Sequence, residues 1–413
     1  MNLQTDNSNC GACGKTCAAG TKCSAGQCLC NTTSGCGGCC SNSTTCATGR
    51  TTASCGAGGA ACAACATGAS CSASGGGGAC TCPPGQLLCG SACTDTNSDG
   101  NNCGSCSHAC QGGGCSNGKC QPLHLASAFQ PGGLAIDSQF AYWTNNSPGN
   151  GSGSIERVPL AGGTVTPLVS NLTGGFSLLA IAVDGTSVYW VDAYAESIFK
   201  APKGGGTATP IASGSPGTMV LSGAFLYWTE INLSEIIKTP ISGAASTIIA
   251  SAADPGANIG SLGGIAANST TVFWTTALSS GTVQSDSVTA VHSVPKPTVI
   301  GPEMMPSSMT IDAHNVYWLE TGSVMALSLS GGSPKPLTTG HNPIGAIASD
   351  GTNVYFGDFP SGGGNVVITS IPVGGGTAVP VGPGLAGVDA IAVDNTAIYW
   401  ADSSGQLIFK VVK

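Results

Sequence analysis

The segment DGTSVYWVD, Asp184 to Asp192, sets a polar turn residue five positions ahead of an aromatic doublet and an acid three positions after its first ring. The doublet recurs at Tyr142-Trp143, Tyr189-Trp190, Tyr227-Trp228, Phe273-Trp274, Tyr317-Trp318, Tyr355-Phe356 and Tyr399-Trp400. Successive first residues lie 47, 38, 46, 44, 38 and 44 apart, the length of one four-stranded propeller blade. The spacing predicts an all-β chain with a seven-bladed β-propeller over residues 121–413.

Within each repeat a short apolar run precedes the turn residue, which is Asp137, Asp184, Ser222, Asn268, Asp312, Asp350 or Asp394. Such residues hydrogen-bond their own backbone in tight turns, so a structural role is predicted for them. A third strand follows in SIERVPL, SIFKAPK, EIIKTPI, VMALSL and LIFKVVK, then a Gly-rich turn. A fourth opens on Pro plus an aliphatic residue, as in Pro167-Leu168, Pro210-Ile211, Pro336-Leu337 and Pro380-Val381. Proline lacks the ladder donor and is tolerated at sheet edges, which assigns the fourth strand to the rim. The last repeat ends at Lys413 after its third strand, while QPLHLASAF carries Pro122-Leu123 well ahead of Tyr142. Residues 121–129 are therefore expected to complete the blade of Tyr399 and close the ring without open edges.

All 23 cysteines lie between Cys10 and Cys120. Small secreted modules that lack a core use disulfides in this way, which predicts an oxidising, extracellular or cell-surface location. Only 8% of residues are charged, and residues 121–413 carry 8 Lys+Arg against 17 Asp+Glu, a net of −9. That balance argues against a phosphate backbone as partner, so no nucleic-acid binding is expected. No apolar run is long enough to span a membrane and no signal peptide opens the chain. Aligning Asp6 with Asp99 and Cys10 with Cys103 leaves no counterpart for Cys93, so the chain is expected to begin inside a module. The sequons at Asn31, Asn42, Asn171, Asn232 and Asn268 carry meaning only in a eukaryotic secretory route.

The cysteine-rich segment divides into a partial module at 1–30, an Ala/Gly/Ser/Thr spacer or stalk at 31–81, and a second module at 82–120. Cys10, Cys13, Cys17, Cys23 and Cys28 repeat as Cys103, Cys106, Cys110, Cys115 and Cys120, and with Cys82, Cys89 and Cys93 the second unit holds eight. These are the disulfide candidates, with connectivity left open. The CxxC pairs Cys10/Cys13 and Cys103/Cys106 offer a zinc alternative. The run CGSACTDTNSDGNNCGSCSHAC with its two following cysteines resembles the stigma-specific cysteine-rich family and its bacterial relatives, and this resemblance implies secretion. The spacer is too poor in apolar area to fold without cross-links.

The forms YWTN, YWVD, YWTE, YWLE, YFGD and YWAD resemble the YWTD class of propeller repeats found in lipoprotein-receptor ectodomains. The count of seven departs from that class, which usually has six. Rings of this size at fixed register are read as core rather than as a sugar-binding platform, because each buries a large apolar area.

Chemistry, if present, belongs to the loops. Three residues after each leading aromatic stand Asn145, Asp192, Glu230, Thr276, Glu320, Asp358 and Asp402. Two readings stand: the acids ring the channel mouth and hold Ca²⁺ through oxygen ligands, or each bonds backbone and shapes its loop. Of His124, His292, His314 and His341, only His341 is placed to face the channel. The innermost strands carry small apolar residues and no histidine, so no catalytic set converges there. The ligand-binding candidates are Asp192, Glu230, Glu320, His341, Asp358 and Asp402. The segments Asn145 to Ser154, Thr276 to Thr289 and Asp358 to Asn365 would shape a binding face. The function expected is recognition of an extracellular protein or glycan, with no required cofactor. A metal-assisted lactonase or lyase and a structural envelope component are the alternatives.

Overall fold

The computed structural model describes residues 2–413 apart from 35, 75–76, 147–151, 174–177, 255–258, 260–261, 277–280, 292–297, 304 and 383. It divides into two compact units, Met1–Cys120 and Gln121–Lys413.

The second unit is a ring of seven four-stranded antiparallel sheets. Blade 2 serves as the pattern: Leu178–Val183 innermost, then Ser187–Asp192, Ser197–Pro202 and Thr209–Ser213 at the rim. Inner strands of successive blades touch around the whole circle, and Leu134–Ile136 of blade 1 meets Ala390–Val393 of blade 7. Blade 7 takes its rim strand from the other end of the unit, where Leu123–Ser127 pairs with Leu407–Val412.

Strand alternation explains why the aromatics come as doublets. Adjacent strand residues point to opposite faces, and a second strand is covered on both, since Ser187–Asp192 is buried throughout. Tyr142 of blade 1 therefore packs with Trp190 of blade 2, Tyr189 with Trp228, and Tyr227 with Trp274. Phe273 joins Trp318, Tyr317 joins Phe356, and Tyr399 joins Trp143 to close the circle. Each such ring buries about 150–250 Å², an upper bound of about 4–6 kcal/mol at about 25 cal/mol per Å². The ladder of doublets is core.

The rim strands of blades 1 to 5 and 7 carry a β-bulge at a fixed position, an irregularity that deters edge-to-edge pairing. Pro210 faces Phe199 while Ala212 faces Ile198, so Ile211 is the extra residue and turns inward. Leu168 and Leu337 occupy the same place behind Pro167 and Pro336. In blade 7, His124 faces Phe409 and Ala126 faces Ile408, which puts the bulge at Leu125. The structural counterpart of the Pro-aliphatic pair is thus His124-Leu125, two residues beyond Pro122-Leu123. Burial of the bulged aliphatic sets the register, and a proline nearby in sequence does not.

In the first unit eleven disulfides take the place of a core. The second module pairs its eight cysteines internally, as Cys82–Cys93, Cys89–Cys106, Cys103–Cys115 and Cys110–Cys120. The first module repeats two of these as Cys10–Cys23 and Cys17–Cys28. Cys13, a disulfide candidate on sequence, is not in one. Its counterpart Cys106 reaches Cys89, upstream of its module's repeated cysteines. Cys103 and Cys106 go to different disulfides and Cys10 pairs with Cys23, so neither CxxC keeps the two thiolates that zinc would need.

The stretch from Cys30 to Cys80 is more regular than a spacer. Cys30–Cys40, Cys36–Cys46, Cys39–Cys62, Cys55–Cys71 and Cys65–Cys80 cross-link it. Short hairpins form between them, as at Cys39–Asn42 with Thr45–Ala47. The Cys30–Cys40 bond also joins this stretch to the end of the first module.

Candidate functional site

In every blade the first strand begins and the second ends at the same side of the ring, so the loops between strands two and three share one face with the connections entering each blade. The central channel opens there. It encloses about 220 Å³ and is walled by Gly133, Ala180, Thr218, Gly264, Ser308, Ala346 and Ala390, one small residue from each blade. The carboxylate among its lining residues is Asp389, which accepts the Ser403 amide at 2.6 Å. Sequence reading passed over Asp389. Its signal was a charge where the other blades carry Gly132, Leu179, Gly217, Gly263, Ser307 and Gly345.

The acids at the ends of the second strands do not gather. Asp192 turns onto its own loop and accepts the amides of Tyr194 and Ala195 at 3.1 and 3.0 Å. Glu230 accepts Asn232 N in its loop and Ser215 N in the connection entering blade 3. Asp402 accepts Gly405 N at 2.6 Å. Asn145, the amide at this place in blade 1, accepts Phe129 N at 2.6 Å. Each side chain thus satisfies backbone donors that a tight loop would otherwise leave open. Three four-residue loops built this way, after Asp192, Glu230 and Asp402, place Glu196, Ser234 and Gln406 at positive φ of 49°, 51° and 58°. Glu320 ends the second strand of blade 5 and is half-buried.

Two candidates do meet. His341 Nδ1 donates to Asp358 Oδ2 at 2.6 Å, and Asp358 Oδ1 accepts Asn342 N at 2.9 Å. The His341 ring stands edge-on to Phe356, with centroids 5.9 Å apart. His124 and His314 are exposed, on a rim strand and in a turn, and His292 lies outside the described residues. Among the described residues, the groups of three metal-ligating atoms are all formed by cysteines already in disulfides.

Sequence patterning also missed the apolar residues of this face. Tyr194 in the blade 2 loop is 69% exposed, and Ile231 and Leu233 in the neighbouring blade 3 loop are 52% and 64% exposed. Ile231 covers the start of the inner strand of blade 3, since its Cδ1 is 2.7 Å from where a Cβ would stand on Gly217. Exposed Ile344 is the second residue of the first strand of blade 6, and exposed Met305 precedes that of blade 5.

Fold and face together define a seven-bladed β-propeller joined to a disulfide-rich unit. Sequence comparison finds no matching protein family and no matching curated protein. Among solved structures, a streptogramin B lyase superposes with a TM-score of 0.55 at 14% identity, over 70% of this chain and 96% of its own. The WD40 β-propeller domain of Doa1 gives 0.54 at 10% identity, over 71% and 97%. A chain of a nidogen/laminin complex is 25% identical over 48% of this chain and 76% of its own, with a TM-score of 0.40. The first two likenesses carry the propeller fold, and the third superposes too loosely to add to it.

Proposed function

We propose that this chain is an extracellular or cell-surface recognition protein whose propeller binds a protein or glycan through its loop face. The observation that carries this reading is the group of Tyr194, Ile231 and Leu233, large apolar side chains held exposed on two adjacent and internally hydrogen-bonded loops. Folded chains keep such patches for partners, and a rigid aromatic anchor loses little entropy on binding. The disulfides support an oxidising compartment, and no helix of the described residues is long and apolar enough to cross a membrane. The YWTD-like doublets are consistent with an ectodomain. The test is saturation binding of the full chain to surface extracts and to arrayed glycans, alongside Tyr194→Ser and Leu233→Ser. One saturable partner lost in both variants supports recognition. Diffuse retention in an envelope fraction, unchanged in the variants, would replace it with a structural envelope role.

His341 and Asp358 favour one second reading, an enzyme of lactonase or lyase type on the same scaffold, because a carboxylate-oriented imidazole is a general base in waiting. Calcium belongs to this reading as its metal. Metal analysis and calcium titration of the full chain check it: stoichiometric calcium that raises Tm would favour the enzyme.

A further inference from the structure

Opposite each leading aromatic the register sets one residue of the third strand, and in four blades that residue is a cation. Arg157 faces Tyr142, Lys200 faces Tyr189, Lys238 faces Tyr227 and Lys410 faces Tyr399. Each cation lies over a ring of its own blade, Arg157 on Phe140 at 4.2 Å, Lys238 on Phe225 at 4.1 Å, Lys200 on Tyr189 at 5.7 Å and Lys410 on Tyr399 at 5.9 Å from the centroid. Each also donates to the same backbone position of the next blade. The acceptors are the carbonyls of Lys203, Ile241, Val288 and Leu160, at 2.7, 3.0, 2.9 and 2.9 Å. An aromatic face and a carbonyl oxygen together replace the water that a half-buried ammonium gives up.

Blade 4 keeps these acceptors and drops the cation. Phe273 faces Ser285. The corresponding carbonyl in blade 5 is that of Leu329, which follows its third strand as Val288 follows that of blade 4, and no donor among the described residues reaches it. Between them lies a cavity of about 350 Å³ lined by Thr271, Phe273, Ser285, Leu329 and Gly331. Sites for small organic groups begin at roughly 300 Å³. The net charge of −9 on residues 121–413 raises the local concentration of cations.

We propose that this cleft between blades 4 and 5 binds an alkylammonium group, either a free primary amine or the lysine side chain of a partner, in the place that Lys200, Lys238 and Lys410 fill in their own blades. The site is separate from the loop face and stands or falls without it.

The full chain is titrated with n-butylammonium chloride, with 1-butanol and NaCl as controls, and followed by thermal unfolding and by NMR shifts. Saturable binding with a rise in Tm is expected for the ammonium alone. Ser285→Lys should supply the missing cation internally, raise Tm without ligand and lower butylammonium affinity at least about tenfold, a change of about 1.4 kcal/mol. Ser285→Met fills the cleft without charge and should also block binding, so the outcome does not hang on the folding of one variant. A lysine peptide with a free ε-amino group and a blocked N-terminus tells the sources apart: binding assigns a protein partner, and exclusion with butylammonium still bound assigns a small amine. No saturable response in the natural chain, or an unchanged response in both variants, overturns the site.

Discussion

The Tyr189 hydroxyl donates to the Asp184 carboxylate at 2.7 Å, tying a ring that fills one blade interface to the turn that opens its own second strand. The other oxygen of Asp184 accepts the amides of Thr186 and Ser187, both at 2.7 Å. Tyr142–Asp137, Tyr317–Asp312, Tyr355–Asp350 and Tyr399–Asp394 repeat the bond at 2.8, 2.7, 2.9 and 3.0 Å. Burial, then the bond to Asp184, pushes the Tyr189 phenol up to about 12. The two exceptions are coherent. Asn268 precedes Phe273, which has no hydroxyl, and Ser222 precedes Tyr227, whose hydroxyl is not bonded to it.

Removing the hydroxyl should therefore matter in one blade and not in another. Tyr189→Phe is expected to cost about 1.5–3 kcal/mol, the worth of a hydrogen bond to a charged acceptor. Tyr227→Phe should be near neutral. Denaturant unfolding of both variants, followed by tryptophan fluorescence, checks the difference; equal losses would deny the Tyr–Asp bond its role.

Acid should loosen the ring at two named turns. Burial alone would raise the Asp137 and Asp350 carboxyls, but the ammonium groups of Lys203 and Lys413 and the turn amides outweigh it and hold both at about 2. With folded pKa values below the unfolded carboxyl near about 3.9, their stabilisation is complete above that value and is lost as pH falls from about 4 to about 2. Asp350→Asn should flatten the fall in Tm over that window, and an unchanged slope would argue against it.

Asp286 runs the other way. It is 7% exposed, its Oδ2 has no partner among the described residues, and burial raises its pKa. Its stabilisation is therefore present below the unfolded pKa and lost as pH rises through the folded one. The equivalent residue in blade 3 is Thr239, which accepts the Trp228 indole N–H at 2.9 Å, while the Trp274 indole of blade 4 lacks a partner among the described residues. Asp286→Thr should raise Tm at neutral pH by removing a buried carboxylate and giving Trp274 an acceptor. A lower Tm would show that the carboxylate is paired.

Reduction should separate the two units. All six tryptophans lie in residues 121–413, which contain no cysteine, whereas the first unit has little core beyond its disulfides. Dithiothreitol is expected to expose residues 1–120 to protease while leaving the tryptophan spectrum unchanged. A red shift on reduction would show that the ring depends on the first unit.

The repeat length, the seven blades, the rim position of the proline strands and the segregation of cysteine were legible along the chain. They follow from strand alternation, turn chemistry and redox chemistry, all of which act over a few residues. The register of Leu125 was misread by two residues, because burial at a bulge decides it and that burial is supplied by another blade. The acids at Asp192, Glu230 and Asp402 were visible, but only the loop conformations show each of them accepting backbone amides. Lys410 donates to a carbonyl 250 residues away, and Ser285 lines a cleft with Leu329 of the next blade that no local pattern marks. Side-chain direction in loops and contacts between blades depend on chain segments brought together by ring closure, so disulfide pairing, the His341–Asp358 pair, the exposed Tyr194 and Leu233, and the cleft at Phe273 belong to the tertiary structure alone.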